Sequence, residues 1–138
     1  METQQTIEYS PGQYGDLGGV VFYGPPQDGF WSTKLEVSVR YSDRIFGAIH
    51  ALARENKRPM NRFVRDWANM EGWWEGQEPT PLATDLIRDL MEALSHLTAK
   101  DVDTDGPEPE TLIECAKVIR NFLAERLNSG DQIYVDSR

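Results

Sequence analysis

Residues Leu35 to Ala68 read LEVSVRYSDRIFGAIHALARENKRPMNRFVRDWA, and the hydrophobic period changes partway along them. Leu35, Val37, Val39 and Tyr41 alternate with Glu36, Ser38 and Arg40, the period of a half-buried strand with one apolar and one polar face. After Ser42 and Asp43, which suit a helix N-terminus, the apolar positions fall at helical spacing: Ile45, Ala48, Ile49, Leu52 and Ala53. Asn56 is suited to a left-handed cap, Arg58 is held extended by the proline that follows it, and Pro59 suits the first turn of a new helix. That second helix turns Phe63, Val64 and Trp67 inward.

A single strand with two helices cannot enclose a core, and a second copy would supply both a strand partner and more apolar surface. From Lys34 to Met70 the chain resembles the ribbon-helix-helix family of Arc-type repressors. The resemblance rests on VSVRY running into a helix start, the Ile-x-x-x-Ile-x-x-Leu-Ala helix, a basic turn, and a second helix opening with Pro59 and Asn61 before Phe63-Val64-Arg65. It implies a homodimer whose paired strands lie in the major groove of double-stranded DNA, with Glu36, Ser38 and Arg40 facing the bases. It also implies a backbone phosphate at the start of the second helix, held by Arg58, Met60, Asn61 and Arg62. Val37, Val39, Tyr41, Ile49, Phe63 and Trp67 would form the dimer core. Two features depart from the family: Glu36 sets a carboxylate where phosphates come close, and Asn56 and Lys57 replace the usual turn glycine. A different arrangement stays open. Val20 to Tyr23 precede a Gly24-Pro25-Pro26-Gln27-Asp28-Gly29 turn, and the Leu35 strand folding back on them would make an intrachain hairpin in an ordinary α+β domain.

The chain has 138 residues and a net charge of −9. Between Lys34 and Asp66 eight basic residues stand against four acidic ones, a local charge of +4, so the remainder carries −13. A basic island in an acidic chain fits a DNA-binding module joined to a part that repels DNA or takes another partner. The chain's one cysteine, Cys115, excludes an intramolecular disulfide framework and fits a reducing compartment. No apolar run reaches the length of a membrane span, and METQQTIEYS has neither the basic nor the apolar part of a signal peptide, so a cytoplasmic protein without a membrane partner is expected.

Three stretches are expected. Residues 1–33 form an arm rich in glycine, proline and aromatics with a short strand at Gly19 to Tyr23; residues 34–76 form the ribbon unit; residues 77–138 form an acidic helical hairpin and tail. Leu82, Leu86, Leu90, Ala93 or Leu94, and Leu97 mark the first hairpin helix, from Pro81 to Ala99. Leu112, Ala116, Ile119, Leu123 and Leu127 mark the second, from Pro109 to Asn128, closed by Gly130. Ile133 and Val135 alternate and suit an added strand, and Trp73 and Trp74 between glycines suit a core or dimer plug. The fold class is therefore mainly α with short β: a ribbon-helix-helix dimerisation unit plus a C-terminal helical hairpin.

Asp101-Val102-Asp103-Thr104-Asp105-Gly106 matches the first half of an EF-hand loop, but Leu112 stands where a bidentate glutamate is needed, so no metal is expected. His50 and His96 have no ligand partner one turn away, and Cys115 lies in no nucleophile motif. No cofactor and no catalytic residue is expected, and an enzyme is not. Two functions follow from the residues: a dimeric DNA-binding regulator, repressor or antitoxin-like, or a non-enzymatic interaction or inhibitor protein that dimerises through the ribbon and binds a basic partner with its acidic C-terminal part.

Overall fold

The computed structural model describes residues 5–9, 19–76, 78–102 and 107–137. Its strands are β1 (Gln5–Tyr9), β2 (Gly19–Tyr23), β3 (Pro26–Gln27), β4 (Phe30–Trp31), β5 (Thr33–Ser38), β6 (Thr80–Pro81) and β7 (Tyr134–Ser137). Its helices are α1 (Val39–Arg54), α2 (Arg62–Asn69), α3 (Thr84–His96) and α4 (Pro109–Asn128), with 3₁₀ turns at Gly72–Glu75 and Ala99–Asp101. The five-stranded sheet has the order β1-β5-β2-β7-β6, and β3 and β4 pair separately.

This corrects the expected ribbon-helix-helix layout to a mixed α/β fold. Strand β5 has no free edge for a second copy. It pairs in parallel with β1, from Gln5↔Thr33 to Tyr9↔Val37, and antiparallel with β2, from Gly19↔Ser38 to Tyr23↔Lys34. The chain completes this sheet by itself, so the physical reason for a dimer, an unpartnered strand, is removed. The intrachain hairpin left open above is the arrangement found. The C-terminal strand joins the same sheet, with β7 antiparallel to β2 and β6 antiparallel to β7.

The period change also falls earlier than the alternation suggests. Strand β5 stops at Ser38 and α1 begins at Val39. Tyr41 belongs to both patterns, as the last term of the alternation and the first of the helical series Tyr41, Ile45, Ala48 and Ile49, all buried. Val39 fits only the strand pattern, and at the helix start it is half-exposed. Asn56 takes the expected left-handed conformation at φ 59°, whereas α2 starts at Arg62 rather than Pro59.

One core runs through all three expected stretches. Val20, Phe22, Leu35, Val37 and Val135 of the sheet meet Ile45, Phe46 and Ile49 of α1, Phe63 of α2, Leu90 of α3 and Leu112, Ile119 and Leu123 of α4. Helix α1 lies against β2 and β5, α2 bridges α1 and α3, and α3 pairs with α4. The expected dimer core is spent on this interior: Val37, Tyr41, Ile49 and Phe63 are buried within the chain, and Trp67 stands half-buried, edge-on to Phe46 at 5.8 Å. Trp73 plugs the same core, as one of the two readings of the tryptophan pair proposed.

Between β2 and β5 the chain does more than turn. The pairing continues in unbroken register beyond the sheet, through Pro26↔Trp31 to Gln27↔Phe30. Asp28 and Gly29 close it with φ of 52° and 83°, the two positive values that a two-residue hairpin turn of this hand requires.

Candidate functional site

The basic turn between α1 and α2 faces α3 across an open groove of about 200 Å³. Its conformation follows from local bonds. The amides of Glu55, Asn56 and Lys57 return to the carbonyls of Ala51, Ala53 and Leu52, ending α1. Asn61, 5% exposed, then caps α2: its Oδ1 accepts from the Val64 amide at 3.0 Å. Ile49, Leu52, Pro59, Met60 and Ala93 make the apolar part of the groove, and Arg58, Asp89, Glu92 and His96 the polar part.

The carboxylates come from one face of α3, where Asp85, Asp89 and Glu92 recur at helical spacing. Arg62 lies between two of them, its Nη2 donating to Asp85 Oδ2 at 3.1 Å and to Asp89 Oδ2 at 3.0 Å. Arg58 reaches Glu92 at 3.8 Å, and His96 approaches the same carboxylate at 3.9 Å. The bonds to Asp89 and Asp85 raise the Arg62 pKa, and the Arg62 bond holds the Asp85 carboxyl below its ordinary value. Two of the residues expected to hold phosphate are therefore engaged by carboxylates of their own chain. Asn61 is committed to its cap, while Met60 stands 45% exposed beside the groove.

The three residues expected to face bases are not brought together. Glu36 pairs with Lys34 at 3.0 Å on the sheet. Ser38 is 4% exposed and its Oγ has no hydrogen-bond partner among the described residues. Arg40 lies in the first turn of α1 and is exposed. The physical reason is the early helix start: Arg40 leaves the strand, and the face it was to share ends with it. Arg40 and Arg54 sit at opposite ends of α1, about 21 Å apart at 1.5 Å per residue, too far apart to flank one groove residue by residue.

Asp43 of α1 accepts from the Trp67 side chain, and burial pushes its carboxyl up in spite of that bond and of Arg44 and Arg40 nearby. Burial likewise pushes the Cys115 thiol far up, which makes it a poor nucleophile. Asp101 is used structurally, its Oδ2 accepting from the Thr98 amide at 2.9 Å and hydroxyl at 3.0 Å. Asp103, Asp105 and Gly106 of the calcium-like loop lie outside the described residues, and among the described residues no three His, Cys, Asp or Glu side chains are grouped as metal ligands. Nor, among those residues, is any helix long and apolar enough to cross a membrane.

Two features went unrecognised in the sequence. One is the α3 carboxylate row, visible as a spacing but not as the counterpart of Arg58 and Arg62. The other is the outer stripe of α4, where Glu110, Glu114, Lys117, Asn121 and Glu125 are all exposed. Glu110 and Glu114 make no ion pair among the described residues. No family model matches this chain, and neither a curated protein nor a solved structure does.

Proposed function

We propose that this chain is a non-enzymatic protein-binding domain that takes a positively charged protein partner on its acidic side. The observation that carries this reading is the engagement of Arg62 by Asp85 and Asp89, with Arg58 beside Glu92. The strongest part of the basic island is offset inside the chain, so it offers less to phosphate than the sequence implies. Among the described residues, acids left without an ion pair include Glu110 and Glu114 in the first half of α4. A net charge of −9 then speeds association with a basic partner and repels DNA.

Fluorescence anisotropy with an arginine-rich peptide and with a DNA duplex, each at low and high salt, tests the reading. The peptide is expected to bind, to weaken with salt, and to lose affinity on Glu110→Gln with Glu114→Gln. Duplex binding at low salt that disappears on Arg40→Ala would overturn the proposal and restore DNA as the partner. Peptide binding indifferent to salt would overturn it too.

A further inference from the structure

The groove between the basic turn and α3 has walls that are tied together. Arg62, at the start of α2, is bonded to Asp85 and Asp89 of α3, and the amides of Lys57 and Arg58 return to the Leu52 carbonyl at 2.9 and 3.4 Å. The space is preformed, so an occupant need not open it. Its volume, about 200 Å³, lies below the roughly 300–1,000 Å³ of sites that enclose a drug-sized molecule and above the roughly 150 Å³ that holds one benzene. One long side chain is the matching size.

Leu52, Met60 and Ala93 give the groove apolar surface, and Met60 is left 45% exposed there. On the α3 wall Asp89 and Glu92 stand one turn apart, against the single guanidinium of Arg58. With the Arg62 clamp counted, three carboxylates meet two guanidiniums, which leaves one negative charge over. Acceptors are left over as well. Asp89 bonds Arg62 through Oδ2, and its Oδ1 has no hydrogen bond among the described residues. Arg58 and His96 stand 3.8 and 3.9 Å from Glu92 Oε1, too far to hydrogen-bond it. Arg58 keeps donors of its own, but an anion brought to them would face Asp89 and Glu92 on the same groove. An ammonium answers this inventory, with three donors and no acceptor, and a lysine carries it on a four-carbon apolar stem. A guanidinium fork matches both oxygens of one carboxylate, whereas Asp89 and Glu92 offer oxygens from successive turns.

We propose that this groove takes a lysine side chain of the protein partner, its stem against Leu52, Met60 and Ala93 and its ammonium between Asp89 and Glu92. The proposal rests on the basic-partner reading above and adds which cationic side chain is taken, and where. Magnitudes give the stem the larger share. The two carboxylates are 49% and 69% exposed, and an ion pair so exposed changes affinity by about fivefold at most. Each methylene buried changes it about fourfold, and the stem has several.

The test titrates the full chain, at low and high salt, with a fluorescent lysine-rich peptide and with the same peptide carrying ornithine at every lysine. Ornithine keeps the charge and lacks one methylene. The lysine peptide is expected to bind, to weaken with salt, and to bind at least about fourfold more tightly than its ornithine counterpart. Glu92→Gln is expected to weaken it about two- to fivefold, and Met60→Ala to reduce the preference for lysine over ornithine. Both side chains are exposed, so neither variant should shift the melting temperature. Salt-sensitive binding that ignores stem length, Glu92→Gln and Met60→Ala overturns the groove and leaves the basic-partner function standing. A lysine peptide that does not bind overturns both. Binding of hexanoate that is lost on Arg58→Ala would assign the groove to anions and overturn the proposal.

Discussion

The indole of Trp73 lies nearly flat on the ring of Phe63, with centroids 4.4 Å apart and planes 16° from parallel, while its Nε1 donates at 2.9 Å to the carbonyl of that same residue. Phe63 also meets Phe22 at 5.8 Å and Phe46 at 5.5 Å, so a β2 ring, an α1 ring and the Gly72–Glu75 turn converge on one side chain of α2. Phe63→Ala is expected to cost about 3–5 kcal/mol, the range for removing a buried aromatic. Trp73→Phe keeps the ring but leaves a buried carbonyl without its donor, and is expected to cost about 1–3 kcal/mol. Urea denaturation of the two variants checks both values; near-equal losses would place the weight on the hydrogen bond rather than the stack.

Gly19 faces Ser38 across the β2–β5 ladder, and a side-chain carbon there would overlap the Val37 carbonyl oxygen and crowd the Val39 amide. These are backbone atoms and cannot swing aside. Gly19→Ala is expected to destabilise by at least about 1–3 kcal/mol, the usual cost of overpacking. Gly29→Ala strains a positive φ in open space and is expected to cost about 1 kcal/mol without disturbing the core. Thermal melts of the two variants should rank them in that order.

Arg62 should matter at neutral pH and cease to matter in acid. Its hydrogen bond and charge lower the Asp85 pKa in the folded chain. A carboxyl lowered by folding contributes stability above its unfolded pKa, near 3.9, and loses that contribution as pH falls through the folded value. The melting-temperature difference between the native chain and Arg62→Ala should therefore vanish at strongly acidic pH, and it should shrink with salt because these side chains are exposed. A difference persisting in acid would assign the role of Arg62 to its aliphatic stem.

Asp43 should behave with the opposite sign. Burial raises its carboxyl in the folded chain, so stability is lost as pH rises from the unfolded value through the folded one. Asp43→Asn is expected to raise the melting temperature at neutral pH and to change nothing below the ordinary carboxylate range. Asparagine can still accept from Trp67, so a lower melting temperature at neutral pH would mean that the charge itself is used by Arg40 or Arg44.

Cys115 is wholly buried and its thiol is pushed up by burial, with the Glu114 charge adding to it. A thiol-exchange reagent is expected to react with it only at the rate of unfolding. Reaction at the rate of a free thiol in the native chain would show that α4 opens locally.

The local grammar of this chain was readable where one interaction dominates. Helix α4 starts at Pro109 and stops at Asn128 as its leucines and Gly130 predict, β2 covers Gly19 to Tyr23, and the Ile133–Val135 alternation does become strand-like sheet packing. Misreading began at Tyr41, which satisfies two periods at once. The β2–β5 hairpin was readable as an alternative, but the parallel partner of β5 was not, since β1 reaches it from 28 residues away and nothing local encodes that pairing. The same is true of the site: Arg62 finds Asp85 and Asp89 at separations of 23 and 27 residues. The resemblance to a ribbon-helix-helix repressor used the basic turn without knowing what would be folded over it.

Placing β7 between β2 and β6 has a consequence for synthesis. Strand β2 is made long before Tyr134–Ser137, and one of its edges waits for that strand to leave the ribosome. Until then Val20 to Tyr23 offer a short, wholly apolar edge in a nascent chain, and β6 has no strand to join. The order of strands in space thus defers completion of this sheet until β7 has been made, and the interval before it is when the open β2 edge most needs a chaperone.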